Sequence, residues 1–91
     1  MIIRSQDKKS IVNINNVDTI TINECRIQYY NGVSDSRGFL GSYSAEEKAI
    51  KVLDMIQEVY TQYAALKKGL GVIQNAFVLP KCVEMPQDDE V

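Results

Sequence analysis

The sequence contains no histidine and no tryptophan, and it has only two cysteines among its 91 residues. Without histidine, the chain lacks the usual general base at neutral pH, the Ser/His and Cys/His nucleophile pairs, and most types of zinc site. Gly69-Leu70-Gly71 lacks the glycine and lysine spacing of phosphate-binding loops. We therefore expect a protein that is not an enzyme, with no catalytic residues, no metal ligands and no cofactor.

The two cysteines, Cys25 and Cys82, are also too few for a disulfide framework of the secreted kind. Each lies among residues typical of strands, so we expect each to be a buried or half-buried free thiol. A mutual disulfide remains the alternative, although a reducing compartment argues against it.

Positive charge is scarce: ten Lys and Arg against twelve Asp and Glu give a formal net charge of −2. Binding to duplex nucleic acid requires a basic face that replaces phosphate counterions, so we do not expect it. Long apolar runs are also lacking, since no window approaches the roughly 18 apolar residues that span a bilayer. We expect a cytoplasmic protein without membrane contact.

Short strand patterns separated by turn residues occupy residues 1–43. Residues 1–4 can pair with residues 10–14 across a polar loop, and residues 18–22 alternate polar and apolar side chains as a half-buried strand does. Residues 26–30 and 39–43 complete the pattern, and the intervening residues 34–38 are predicted to be a mobile loop. The expected arrangement is an antiparallel meander.

A long helix is predicted from Ser44 to Gly69. Ser44 and Glu47 form the capping-box pattern that starts helices, and glycine is the common terminator. An apolar stripe follows at spacings of three and four residues, and it consists of Ala49, Leu53, Ile56, Tyr60 and Tyr63, flanked by Val52, Met55, Val59 and Leu66. This face is wider than the roughly 100° that covers one sheet. We expect a second copy to cover the excess, giving a homo-oligomer. The alternative is that the C-terminal segment covers it.

The predicted fold class is therefore α+β, with an antiparallel β-meander packed by one long α-helix and followed by a C-terminal edge strand or arm. Residues 1–86 are expected to form a single domain, and residues 87–91 a frayed acidic tail.

Arginine and aromatic residues are the candidate ligand-binding groups. Arginine binds phosphate through paired donors, and aromatic rings stack on bases. We expect Arg4 and Arg37 to hold phosphate, and Tyr43 or Phe77 to stack on a base. Other guanidinium and aromatic groups in this half are Arg26, Tyr29 and Tyr30.

The sequence as a whole resembles small uncharacterised proteins of bacteria, phages and mobile elements. The resemblance rests on residues 1–7 (MIIRSQD), 12–17 (VNINNV), 40–44 (LGSYS) and 47–53 (EKAIKVL), and on Met85-Pro86 before an acidic tail. Proteins similar to this set include the phage Thoeris anti-defence proteins, which sequester a cyclic ADP-ribose signal and form oligomers. This chain is shorter than those proteins, and no functional residue is carried over from them.

The functional hypothesis is a non-enzymatic, phage-type anti-defence protein. It would sequester a small nucleotide immune signal, of the cyclic nucleotide or cyclic ADP-ribose type, as a homo-oligomer with pockets where subunits meet. The alternative is a protein–protein interaction module that inhibits a host protein through an exposed sheet edge or the acidic tail.

Overall fold

The computed structural model describes residues 1–67 and 82–91 and has the predicted α+β fold. Two short 3₁₀ turns, Ile14–Asn16 and Asp88–Glu90, accompany the regular elements. In chain order these elements are β1 (Ile2–Arg4), β2 (Ile11–Asn13), β3 (Thr19–Asn23), β4 (Arg26–Asn31), β5 (Ser36–Ser42), α1 (Glu46–Lys67) and β6 (Cys82–Glu84).

The strands form two sheets rather than the single meander expected from the sequence. β3, β4 and β5 form an antiparallel meander in that order, whereas β1 lies between β2 and β6 in a separate sheet. β1 pairs antiparallel with β2, as predicted, but parallel with β6. The 3₁₀ turn Ile14–Asn16 separates β2 from β3. β6 pairs with the second side of β1 although the two strands lie far apart in the sequence. No local sequence pattern predicts such a pairing.

The structure defines two of the connections between the strands of the meander. The β3–β4 hairpin turns at Glu24 and Cys25, which both have positive φ (52° and 65°) although neither is glycine. The Cys25 carbonyl accepts the Tyr43 N–H at 3.0 Å, which holds this turn against the end of β5. The predicted mobile loop over residues 34–38 is also wrong in part, because β5 already begins at Ser36.

The core lies between the two sheets and α1. Its buried apolar side chains come from β1, β4, β5, α1 and β6 or their flanks, and they are Met1, Ile3, Ile27, Leu40, Tyr43, Ala49, Val52, Ile56, Val83 and Met85. Ile20 and Ile22 pack against this cluster, whereas Thr19 and Thr21 are exposed, as the alternation predicted. Cys25 is half-buried, as expected, but Cys82 is exposed, so the expectation for Cys82 was wrong.

Helix α1 packs on β3 and β4 and is described over 22 residues. Only part of its apolar face is covered: Ala49, Val52 and Ile56 are buried, but Tyr60 is 44% exposed. Ile50, outside the predicted stripe, is 43% exposed. The predicted terminator Gly69 lies outside the described residues.

The C-terminal segment is docked, which corrects the expectation of a frayed tail over residues 87–91. The backbone N–H of Ser44 donates to Asp88 Oδ1 at 2.8 Å, and Lys48 Nζ donates to the Asp88 carbonyl at 2.9 Å. This contact replaces the predicted capping box of Ser44 and Glu47. The acidic segment thus stabilises the start of α1, where the positive end of the helix dipole favours a carboxylate.

Gln6 connects this segment to both sheets. Its backbone N–H donates to the Leu40 carbonyl at 2.7 Å, and its side-chain Oε1 accepts the Ser42 N–H at 2.9 Å. Its Nε2 donates to the Pro86 carbonyl at 3.3 Å, and its own carbonyl accepts from Gln87 Nε2 at 2.9 Å. All four kinds of polar group on this residue are therefore used.

The Tyr43 hydroxyl donates to the Pro86 carbonyl at 2.8 Å, so Tyr43→Phe should lower the free energy of unfolding by about 1 kcal/mol at neutral pH. Burial, with Asp88 and Glu90 nearby, raises the pKa of Tyr43 from 10.0 to about 12. The folded state therefore holds this proton more tightly, and the resulting stability is lost as the pH rises from 10 to 12. Urea unfolding should show the gap between wild type and Tyr43→Phe narrowing over that range. Tyr60→Phe, at a more exposed ring, serves as the control. An equal loss of stability in Tyr60→Phe would contradict the role assigned to the Tyr43 hydroxyl.

Asp88 provides a second test, at acidic pH. Its pKa is held below the ordinary 3.8 chiefly because the carboxylate accepts the Ser44 N–H, with Lys48 adding a favourable charge. A lowered carboxyl pKa stabilises the fold above the unfolded value and loses that effect as the pH falls through the folded value. Asp88→Asn should therefore lower the urea midpoint at neutral pH, and the difference should shrink as the pH falls below 3.8 and through the lowered pKa of Asp88. Asp89→Asn is the matched control, and an equal loss in that variant would refute this role.

Candidate functional site

The structure does not bring the predicted phosphate-binding residues together. Arg37 lies near the start of β5, on the solvent face of the meander. Arg4 lies on β1, in the other sheet, where its Nη2 donates to the Lys8 carbonyl at 3.2 Å and its Nε is buried without a partner. The Arg4 guanidinium therefore binds the β1–β2 loop of its own sheet, whereas the Arg37 side chain is exposed to solvent.

Of the two predicted stacking residues, Tyr43 is not in a position to stack on a base. Tyr43 is only 5% exposed and is part of the core, so its ring is not accessible to a base. It also lies six residues beyond Arg37, or about 20 Å along an extended chain. Phe77 lies outside the described residues.

The outer surface of β4 and β5 presents the best candidate site. Arg26, Gln28 and Tyr30 alternate along β4 and share one face, because side chains of a strand point to opposite sides in turn. Gln28 is paired with Phe39 and Tyr30 with Arg37 on β5, so all five side chains lie on this side. We call these five residues the arginine–aromatic face. The neighbouring residues Ile27 on β4 and Leu40 on β5 are buried in the core.

Two guanidinium groups on this face lie over aromatic rings. Arg26 Cζ is 5.1 Å from the centroid of the Phe39 ring, and Arg37 Cζ is 5.4 Å from that of Tyr30. Both distances are within the roughly 6 Å range of a cation–π contact. Such stacking orients a guanidinium while its N–H edges remain free to donate to an oxyanion. Phe39 is 53% exposed, so much of its ring remains accessible.

The two arginine–aromatic pairs lie beside shallow depressions. One has a volume of about 240 Å³, and its lining includes Arg26 and Phe39, the Asp7 carboxylate, and the polar residues Gln6 and Ser42. The other has a volume of about 150 Å³ and is lined by Gln28, Tyr29, Tyr30 and Arg37. Phe39 and Arg37 are two residues apart on β5, so the depressions are separated by about 7 Å along the strand.

Acidic residues at the two ends of the face limit its positive potential. Glu24 Oε2 is 3.8 Å from Arg26 Nη2, but both side chains are substantially exposed (81% and 47%). Such a pair is worth little in water and can be displaced by a stronger anion. Asp35 accepts the Tyr30 hydroxyl at 3.1 Å. The face suits one small anion rather than a long polyanion.

Sequence reasoning named only Arg37 of this face as a site residue. A usable signal was present in the alternation of Arg26, Gln28 and Tyr30, which resembles that of Arg37 and Phe39 on the next strand. The sequence did not show how β4 and β5 align, because the pairing of the two strands across the four-residue loop 32–35 sets that register. The Asn31 side chain shapes this loop by accepting the Val33 N–H at 3.0 Å.

A third feature is a groove between α1 and the edge strand β3, with a volume of about 310 Å³. Its lining is mainly apolar, with four polar side chains, and consists of Ile14, Val17, Asp18, Thr19, Ile20, Leu53, Ile56, Gln57 and Tyr60. We call it the α1–β3 groove. None of the arginines lines it, so it is a separate surface from the arginine–aromatic face.

Within residues 1–67 and 82–91, no group of three or more Cys, Asp or Glu side chains is arranged to hold a metal ion. No helix in the described part of the chain has both the length and the apolar character needed to cross a membrane.

Comparison with known proteins adds no family: no protein-family model matches the sequence, and no curated protein or solved structure shows significant similarity to it. The resemblance noted from the sequence therefore stays a prediction. The candidate site has to be interpreted from its own chemistry.

Proposed function

We propose that this protein is a non-enzymatic binder of a small nucleotide and that the ligand lies on the arginine–aromatic face. The observation that supports this most is the pairing of Arg26 with Phe39 and of Arg37 with Tyr30 on adjacent positions of one exposed sheet surface. A nucleotide combines a flat aromatic base with an anionic phosphate. This surface offers a partner for each.

The chemistry of each contact follows from the residue types. An exposed ring such as Phe39 provides a platform for a base, and stacking of this kind is worth about 1–3 kcal/mol per base. The guanidinium groups of Arg26 and Arg37 offer paired donors that match phosphate oxygens. Gln28, between the two pairs, can donate to and accept from the polar edge of a base.

The size of the site favours a ligand that spans both depressions. Each depression is smaller than the roughly 300 Å³ at the lower end of ordinary small-molecule pockets. A ligand with its base in one and its phosphate in the other would use both. A cyclic dinucleotide or a cyclic ADP-ribose derivative has this extended combination of bases, riboses and phosphates.

Sequestration rather than turnover is the proposed activity, since the face holds stacking and anion-binding groups and no histidine is present in the sequence. In this proposal the biological role is that of a phage-type anti-defence protein, which removes a nucleotide immune signal by binding it as a homo-oligomer. The proposed anti-defence role is motivated by the resemblance described from the sequence, and the proposed nucleotide binding is motivated by the arginine–aromatic face. Of the alternative, an inhibitor of a host protein, the tail route has little support because Asp88 is bound to Ser44 and Lys48.

Isothermal titration calorimetry against cyclic dinucleotides, cyclic ADP-ribose, ADP-ribose and inorganic phosphate tests the proposal. At least one nucleotide should bind and be recovered intact by chromatography. Arg37→Gln and Arg26→Gln should each weaken binding about tenfold or more, because a hydrogen bond to a charged group contributes about 1.5–3 kcal/mol. Phe39→Ala should weaken it by a similar factor through lost stacking.

Two matched controls remove the same charge elsewhere. Lys51→Gln lies on the exposed side of α1, and Arg4→Gln tests the residue that the sequence predicted. Both should bind as wild type does. The proposal fails if none of the probes binds, if Lys51→Gln loses as much affinity as Arg37→Gln, or if the nucleotide is converted to product.

A further inference from the structure

We propose that the depression beside Arg26 and Phe39 is a guanine site, in which the Asp7 carboxylate and the Arg26 guanidinium bind the two polar edges of the base. The inference rests on the proposed function, and it specifies which base the arginine–aromatic face binds and how the ligand is oriented. Asp7 and Arg26 both line this depression of about 240 Å³. Its walls therefore contain a hydrogen-bond acceptor and a hydrogen-bond donor, each carrying a charge.

The two charged side chains reach the depression from opposite sides of β5. Arg26 belongs to β4, which pairs with β5 on one side. Gln6 bonds to the β5 backbone on the other side, and Asp7 follows it in the chain. Within residues 1–67 and 82–91, the ion pair that Arg26 makes is with Glu24 and not with Asp7. The space between the two walls is therefore open to a ligand.

The loop between β1 and β2 holds the Asp7 carboxylate in one orientation. Its Oδ1 accepts the Ser5 hydroxyl at 2.6 Å and the Lys9 N–H at 2.9 Å. In the described part of the chain both hydrogen bonds of this carboxylate are to Oδ1, so Oδ2 keeps its lone pairs for a ligand. The Ser5 hydroxyl, followed by the Lys9 N–H, lowers the pKa of Asp7 below the ordinary 3.8. At neutral pH the group is therefore ionised and can only accept hydrogen bonds.

Guanine is the base whose edges match these two groups. Its N1–H and 2-amino group lie side by side and donate, while its O6 and N7 accept and are the commonest specific partners of arginine. Asp7 Oδ2 can accept from the first edge, and Arg26 can donate to the second. Adenine has an acceptor at N1 and a donor at its 6-amino group. In the same position it would place the N1 lone pair against Asp7 and the amino group against Arg26.

Charge also sets the orientation of the ligand. The second depression has a lining without acidic residues, which consists of Gln28, Tyr29, Tyr30 and Arg37. In the first depression the Asp7 carboxylate repels a phosphate. The base therefore lies beside Phe39, and the phosphate is bound by Arg37. Of the ligands considered above, this arrangement favours a cyclic dinucleotide that contains guanine over a cyclic ADP-ribose derivative, whose base is adenine.

NMR titration of the folded full chain with GMP, IMP, AMP and CMP tests the site. Wild type should bind GMP at least tenfold more tightly than AMP or CMP. IMP should bind more weakly than GMP because it lacks only the 2-amino group, and this comparison requires no variant. Cyclic di-GMP should likewise bind more tightly than cyclic di-AMP.

Asp7→Asn tests the carboxylate itself. The side-chain oxygen remains available to Ser5 and Lys9, but an amide N–H₂ takes the place of Oδ2 and faces the donors of guanine. The affinity for GMP should fall at least tenfold, because a hydrogen bond to a charged group is lost. The affinity for AMP should not fall, and the difference between GMP and IMP should disappear. Circular dichroism and urea unfolding establish that the variant folds.

Asp35→Asn is the matched control, since it removes the same charge at the other end of the face while an oxygen remains for the Tyr30 hydroxyl. Its ratio of GMP to AMP affinity should equal that of wild type. Equal binding of GMP and AMP or CMP by wild type, or an unchanged ratio in Asp7→Asn, would overturn the guanine site while leaving nucleotide binding intact. Failure of every nucleotide to bind would overturn the proposed function, and this inference with it.

Discussion

Gln6 joins the two sheets and the C-terminal segment, and the rest of the structure depends on that junction. Its backbone binds Leu40 and Gln87, and its side-chain amide binds Ser42 and Pro86. In the described part of the chain each sheet has three strands, and β1, β2 and β6 have three residues each. Pairing alone stabilises such short strands poorly. A residue that satisfies all its own hydrogen bonds across three parts of the chain holds them in one arrangement.

The junction also determines which surfaces are available. By bonding to β5, Gln6 covers part of one edge of the meander, whereas β3 pairs, within residues 1–67 and 82–91, with a strand only on its β4 side. The outer side of β4 and β5 stays exposed because α1 packs on the opposite, core-facing side. The proposed ligand face therefore follows from this packing arrangement.

Local patterns predicted the local features of this fold. The alternation at residues 18–22 was confirmed in β3, and the helix start predicted at Ser44 from the capping-box pattern lies two residues before the observed start of α1 at Glu46. The division into two sheets could not be predicted from local sequence patterns, because it depends on the parallel pairing of β1 with the distant strand β6. The sequence around Gln6 does not indicate its role either, because the partners of its side chain and carbonyl lie 36, 80 and 81 positions away. For the site, residue type indicated Arg37, but strand register was needed to add Arg26, Tyr30 and Phe39.

Amide hydrogen exchange in Gln6→Ala tests the central role of this junction most directly. Ser42 should lose its protection, because its N–H donates to the Gln6 side chain. If the junction holds the three parts together, protection should also fall at Met85 and Glu90, whose amides bond within or beside the C-terminal segment. Loss of protection at Ser42 alone, with Met85 and Glu90 as slow to exchange as in wild type, would contradict the account.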